Sequence, residues 1–144
     1  MAELTDMRRG LQIADVTTAG AVNTATTAFE IGHIPNAIMF IIDVTAAATD
    51  VGDTLNITIE TKIGAKWHPS YQCTEFLGDG GTHIESSDKV LAALAVANDT
   101  TFGGVLAANA DLPGVIGTAW RVAYVVVDAD SNSAFTFTVT AVVM

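Results

Sequence analysis

The side chains that most often carry out chemistry are few and widely spaced in this chain. His33, His68 and His83 have none of the HxH or HExxH spacings that gather imidazoles around a metal ion. No serine lies in the Gly-x-Ser-x-Gly turn that exposes a hydrolase nucleophile. The glycines of segment 78–81 are not followed by the Lys-Ser/Thr pair of a phosphate-binding loop. The sequence therefore predicts no catalytic residue, no metal site and no cofactor, and it predicts that the chain is not an enzyme.

One acidic segment copies part of a calcium-binding loop. Residues 128–132 read Asp-Ala-Asp-Ser-Asn, which matches the first three ligand positions of an EF-hand loop. The loop would need glycine at its sixth position and glutamate at its twelfth, where this chain has Ser133 and Val139. A solvated hairpin turn between two strands is therefore the favoured interpretation.

Two aromatic side chains leave carbohydrate binding open as an alternative function. Trp67 and Tyr71 could stack on sugar rings beside the cationic side chains of Lys62 and Lys66. Such a surface would make the chain a carbohydrate-binding module. The favoured interpretation places both rings in the core or in a protein interface, because aromatic side chains bury large apolar areas.

The charge balance excludes two classes of partner. Sixteen Asp and Glu residues oppose six Lys and Arg residues, which gives a formal net charge of −10. Nucleic-acid binding depends on Lys and Arg that neutralise phosphates, and anionic membrane surfaces attract basic segments. We therefore expect no nucleic-acid partner and no membrane contact.

The compartment is predicted from the cysteine content and from two missing signals. Cys73 is the only cysteine, so the chain has no internal disulfide. The sequence shows no run of about 18 apolar residues that could span a bilayer and no apolar secretory leader. These features predict a protein that matures in a reducing cytoplasm.

The residue mix predicts an all-β fold. Thr, Val and Ile make up 45 of the 144 residues, and these β-branched types favour strands. Apolar and polar residues alternate in several segments that Gly- and Asp-rich turns separate. Residues 89–98 could form a short helix or an apolar strand, and we favour the strand. The predicted strands are about 11–17, 21–31, 36–46, 54–63, 66–77, 82–86, 90–97, 118–128 and 133–143. Many short strands of this kind predict a β-sandwich, and the jelly roll is the favoured form.

The first dozen residues differ in character from the rest of the chain. Residues 1–12 carry two of the six basic residues and are electrically neutral, so residues 13–144 carry the whole net charge of −10. We interpret residues 1–12 as an extended N-terminal arm and residues 13–144 as one β-sandwich domain. A merely frayed terminus is the alternative. The candidate residues of this arm for contact with a neighbouring subunit are Met7, Arg8, Arg9 and Leu11.

Two long segments resemble small structural proteins of tailed bacteriophages. Residues 43–76 show a strand that ends in a D-V-T-A turn, then an L-x-I-x-I strand and a K-W segment. Residues 119–143 show a W-R-V-x-Y strand, a polar turn and an F-T-F-x-V strand. Residues 77–117 do not follow the pattern. The matching positions are Asp43, Val44, Thr45, Leu55, Ile57, Ile59, Trp67, Trp120, Arg121, Val122, Tyr124, Phe135, Phe137 and Val139.

The resemblance implies a capsid decoration, or cement, protein. Proteins of this family bind the outer surface of the phage head as trimers and stabilise contacts between major capsid subunits. The implied partners are the major capsid protein and further copies of this chain, and the implied location is the capsid surface of a virion made in the host cytoplasm. A tail or head-fibre component is the alternative within the virion.

Overall fold

The computed structural model describes residues 10–87, 90–91, 106–111, 116–129 and 133–144. These residues form twelve β-strands and no helix, and every strand pairing is antiparallel. The strands are β1 (Leu11–Thr17), β2 (Val22–Ala25), β3 (Phe29–Glu30), β4 (Ala37–Ala46), β5 (Thr54–Ile63), β6 (Lys66–Gln72), β7 (Phe76–Leu77), β8 (His83–Ser86), β9 (Val90–Leu91), β10 (Ala110–Asp111), β11 (Ala119–Val127) and β12 (Thr136–Val143).

The strands make two sheets that pack face to face as a β-sandwich. The first sheet has the order β1-β12-β4-β8, and β9 also pairs with β4. The second sheet has the order β10-β6-β5-β11-β2, with β3 beside β11 and β7 beside β5. The all-β prediction and the β-sandwich prediction are thereby confirmed.

Alternating side chains explain how the two sheets share one core. In β5 the side chains of Leu55, Ile57 and Ile59 are fully buried, and the polar residues between them lie on the outer face. In β12, Phe137 and Val139 are buried in the same way. Contacts across the core include Phe40 of the first sheet and Trp120 of the second, whose ring centroids lie 5.3 Å apart.

Two of the predicted strands are interrupted. The segment 21–31 forms β2 and β3, because Thr26 between them contacts β11 through its side chain. The Thr26 hydroxyl accepts a hydrogen bond from Val122 N at 3.0 Å. The segment 66–77 forms β6 and β7, because Thr74 N donates to the Glu85 carboxylate at 3.0 Å instead of to a neighbouring strand.

The remaining strand predictions have different outcomes. The structure confirms β1 and β5 with the predicted bounds of 11–17 and 54–63. The short strand β10 was not predicted, because its two residues show no alternation. Of the predicted strand 90–97, residues 90–91 form β9 and the others lie outside the described residues. The alternative helix at 89–98 also falls largely outside them.

Candidate functional site

The outer face of the second sheet presents side chains in regular rows across neighbouring strands. The register of β5 with β11, β6 and β7 sets these rows, since the buried residues of β5 alternate with outward-facing ones. Three kinds of surface follow one another along the strands: an apolar row, a groove and an ionic end. The rows are Val127–Thr54–Leu77, Val125–Asn56, Ala123–Thr58–Gln72 and Arg121–Glu60–Pro69.

The apolar row lies at the end of β5 that follows the β4–β5 turn. Val127 is 51% exposed and Leu77 is 48% exposed, and they lie on either side of Thr54. Val51 in the preceding turn is 77% exposed. Exposed aliphatic side chains that lie side by side are typical of protein contact surfaces.

A groove of about 570 Å³ occupies the middle of the outer face. Its floor comes from β5, β6 and β11, and one wall comes from Leu106 and Ala108, which precede β10. The pairing of Ala110 with Gln72 places this wall beside β6. The lining residues are Asn56, Thr58, Gln72, Cys73, Glu75, Leu106, Ala108, Ala123, Tyr124 and Val125.

The polar groups of the groove floor bond to one another. The Thr58 hydroxyl donates to Gln72 Oε1 at 2.5 Å, and Gln72 Nε2 donates to the Ile57 carbonyl at 3.1 Å. Asn56 Nδ2 donates to Glu75 Oε2 at 2.9 Å. These bonds fix the side chains in place, so a ligand would meet a preformed surface of hydroxyl and amide groups.

The ionic end combines a cation, a carboxylate and an aromatic ring. Arg121 Nε donates to Glu60 Oε2 at 2.5 Å, and both side chains are partly buried. The Arg121 guanidinium also lies over the Trp67 ring, 4.5 Å from its centroid. Lys62 and Lys66 flank this group at the turn between β5 and β6.

The predicted sugar-stacking pair, Trp67 and Tyr71, is divided between the two faces of the sheet. Trp67 lies opposite Lys62 on the outer face, and its ring is covered by Arg121. Tyr71 lies opposite the buried Ile59, and its side chain is only 1% exposed. The ring of Tyr71 therefore belongs to the core, where the favoured interpretation places it, and only Trp67 of the pair faces outward.

Tyr71 and Cys73 are buried beside the groove and remain protonated at neutral pH. Burial raises the pKa of the Cys73 thiol, and the nearby Glu85 carboxylate raises it further. Burial is also the main cause that raises the pKa of the Tyr71 hydroxyl, followed by its hydrogen bond to Glu85. A protonated, fully buried thiol is a poor nucleophile, so Cys73 acts as a packing residue here.

A second depression, of about 490 Å³, lies at the β8 edge of the first sheet. His83 Nε2 lies 3.0 Å from Asp79 Oδ1, and the rings of His83 and Phe76 are 5.9 Å apart. Hydrogen bonds to Gly81 N and to His83 lower the pKa of Asp79. Ile84 is 76% exposed beside this pair.

Leu11 is the only arm candidate among the described residues, and it lies apart from these surfaces. Leu11 begins β1, where it pairs with the buried Ala141 and is itself half-buried, so it belongs to the sandwich. Met7, Arg8 and Arg9 lie outside the described residues. Within the described ranges no group of three or more His, Cys, Asp or Glu side chains could hold a metal ion.

Comparison of the chain with protein-family models, with curated proteins and with solved structures gave no match. In the part of the chain that the structure describes, no helix has the length and hydropathy needed to cross a membrane.

The groove residues were not among the sequence-based candidates. No ligand-binding motif singled out Asn56, Thr58 and Gln72, but the alternation of β5 already indicates that Asn56 and Thr58 face outward. The wall at 106–108 depends on a pairing that is distant in sequence, and nothing in the local sequence indicates it.

Proposed function

We propose that this chain is a noncatalytic virion structural protein, a decoration or cement protein of a tailed-phage head. In this proposal it binds the outer capsid surface as a homotrimer and stabilises the contacts between major capsid subunits. A trimer that engages several capsid subunits at once gains avidity, so each single contact can be weak.

The position of the phage-like residues in the fold supports the proposal. The matching segments supply the last four residues of β4 with β5 and β6 on one side, and β11 and β12 on the other. These strands pair with one another as β4 with β12, β5 with β11 and β5 with β6. The resemblance therefore covers the paired strands at the centre of both sheets.

The strand order supports the jelly-roll form. Two short strands that pair with the same edge of a longer strand are counted here as one strand. These pairs are β2 with β3, β6 with β7 and β8 with β9. When β10 is set aside, eight strands remain, and we number them 1 to 8 in chain order. The two sheets then have the strand orders 1-8-3-6 and 2-7-4-5. This order fits two interlocked Greek keys, an arrangement found in viral capsid and lectin domains.

The observation that carries the proposal is the apolar row on the outer face. Val127 and Leu77 leave about half of their surface exposed on a chain whose net charge is −10. An apolar centre inside a polar rim is typical of protein interfaces, and the acidic remainder of the surface opposes contact with nucleic acid. We therefore assign the apolar row to the capsid contact.

A binding experiment on heads that lack this chain tests the assignment. Purified chain is added to such heads, and occupancy is measured by sedimentation and by electron cryomicroscopy. The double variant Val127→Lys with Leu77→Lys is expected to lose at least about tenfold in affinity, because charges in an apolar contact must be desolvated. The control variant Ile84→Lys changes an exposed aliphatic residue of the first sheet and is expected to bind normally. Equal binding by both variants would contradict the assignment.

The groove favours glycan binding as a second candidate function. Its floor of hydroxyl and amide groups beside Ala123 and Val125 has the mixed character that sugars need. Titration of glycans, followed by tryptophan fluorescence and by calorimetry, tests this candidate. A response that Gln72→Ala abolishes would support it, and no response across a broad glycan set would remove it.

A further inference from the structure

A fully buried carboxylate lies where β5 begins. Asp53 has no exposed surface, and its Oδ1 accepts a hydrogen bond from Ala129 N at 2.8 Å. Its other oxygen, Oδ2, is buried and has no hydrogen-bond partner among the described residues. A buried carboxylate oxygen without a partner is costly, because it has lost its hydration without compensation.

A second carboxylate follows the neighbouring strand β11 at the same end of the sheet. The register of β5 and β11 ends with Thr54 opposite Val127, and Asp53 precedes Thr54 while Asp128 follows Val127. Side chains two residues apart on a strand lie on the same face. Asp53 therefore shares the inward face with the buried Leu55, and Asp128 shares it with the buried Val126.

A buried hydroxyl belongs to the same end of the sandwich. Ser133 is fully buried, and its Oγ has no partner within the described ranges. The backbone oxygen of Ser133 accepts a hydrogen bond from Gly20 N at 2.8 Å. A Cβ atom on Gly20 would lie 3.6 Å from Asp128 Oδ2, so Gly20 lies next to both the Ser133 backbone and the Asp128 carboxylate.

We propose that Asp53, Asp128 and Ser133 contribute to a binding site for Ca²⁺. The side-chain polar atoms of these three residues are all oxygens, which hard cations prefer, and Ca²⁺ accepts irregular coordination completed by backbone carbonyls and water. A divalent cation would partner the buried Asp53 oxygen and balance the negative charge of the carboxylates at this end of the sandwich. With only two carboxylates the affinity is expected in the weak range, with a Kd of about 10⁻⁴ to 10⁻³ M.

Thermal unfolding with and without the cation tests the site. The chain is melted in EDTA, in 10 mM CaCl₂ and in 10 mM MgCl₂ at matched ionic strength. Calcium is expected to raise the Tm by about 3–8 °C, since binding to the folded state alone stabilises it. Magnesium is expected to raise it less, because Mg²⁺ needs a regular octahedral site. Equal Tm values in calcium and in EDTA would overturn the proposal.

Substitutions of single carboxylates test whether the calcium response comes from this site. Asp53→Asn is expected to abolish the calcium response, and calorimetry on Asp128→Asn is expected to show at least about tenfold weaker binding. Asp128 is only partly buried, so this variant keeps the test open if Asp53→Asn does not fold. Asp15→Asn removes an exposed carboxylate of the first sheet and is the matched control, with an unchanged response. An undiminished response in both Asp53→Asn and Asp128→Asn would place calcium elsewhere and overturn the proposal.

Discussion

The hydroxyl of Tyr71 donates a hydrogen bond to the carboxylate of Glu85, and this bond joins the two sheets of the sandwich. Tyr71 belongs to β6 of the second sheet, and Glu85 belongs to β8 at the edge of the first sheet. The same carboxylate accepts a hydrogen bond from Thr74 N. The Glu85 side chain thus connects the edge strand of the first sheet to β6 and to the segment that follows β6 in the second sheet.

Removal of the Tyr71 hydroxyl should therefore weaken the sandwich. Tyr71→Phe keeps the buried ring but deprives Glu85 of a donor, and we expect the free energy of unfolding to fall by about 1–3 kcal/mol. Urea denaturation measures the change. Tyr124→Phe is the control, because the Tyr124 ring packs against Phe137 and its hydroxyl has no hydrogen bond among the described residues. Equal losses in the two variants would argue against the role of the Tyr71–Glu85 bond.

The raised pKa values of Cys73 and Tyr71 predict that the fold loses stability in alkaline solution. In the unfolded chain these groups release their protons near pH 8.5 and pH 10, as is general for exposed thiols and phenols. The folded chain keeps the protons to higher pH, so the unfolded state binds fewer protons in this range and stability falls as pH rises. Below about pH 8.5 the contribution of the thiol is fully present.

The measurement is the free energy of unfolding between pH 7 and pH 10. We expect a decline of up to about 1.4 kcal/mol per pH unit from the thiol once the pH exceeds about 8.5. Cys73→Ala should be less stable at pH 7, because it leaves a small cavity, but its stability should decline less between pH 8.5 and pH 10. Parallel pH profiles for the two proteins would contradict the assignment to Cys73.

Gly117 should tolerate no side chain. A Cβ atom there would lie 2.2 Å from the Lys62 carbonyl oxygen and 2.8 Å from Thr61 Oγ1. Gly117 N also donates to Thr61 Oγ1 at 2.8 Å, so the backbone cannot move away without loss of that bond. We expect Gly117→Ala to lower the free energy of unfolding by about 3 kcal/mol, as measured by thermal or urea denaturation.

The control for this substitution is Gly64→Ala in the β5–β6 turn. Gly64 has a φ of 62° and open space around its Cβ position. Only the left-handed backbone is then strained, at a cost of about 1 kcal/mol. If Gly64→Ala proved as harmful as Gly117→Ala, the close approach of Gly117 to β5 would not be the cause.

The N-terminal arm remains the predicted capsid or intertrimer contact. Leu11 and Gln12 belong to β1, so a deletion of residues 1–12 would also remove strand residues. Deletion of residues 1–9 should abolish binding to heads and leave the circular dichroism spectrum unchanged. Full occupancy by this shortened chain would exclude Met7, Arg8 and Arg9 as the contact.

Local patterns were sufficient to predict the long strands. In β5 the apolar Leu55, Ile57 and Ile59 alternate with polar residues, and the turn residues before Thr54 and after Ile63 mark the ends of the strand. The two-residue strands were not predictable, because β10 exists only through its pairing with Gln72 and Tyr71. Such pairing depends on tertiary contacts rather than on local preference.

The faces of Trp67 and Tyr71 show why the candidate site was harder to predict than the fold. In a regular strand residues 67 and 71 lie on the same side. The register between β5 and β6 shifts at Ile59 and Glu60, opposite Pro69 and Tyr71. This bulge inserts one residue and turns Tyr71 into the core, and no feature of the local sequence alone fixes its position.

The most direct test of the proposed function counts copies of this chain in phage particles. Gradient-purified particles from the source are analysed by quantitative mass spectrometry, and the chain is compared with the major capsid subunit. A capsid decoration protein predicts a ratio near one to one or a simple fraction of it. A handful of copies per particle, or none, would contradict the decoration role.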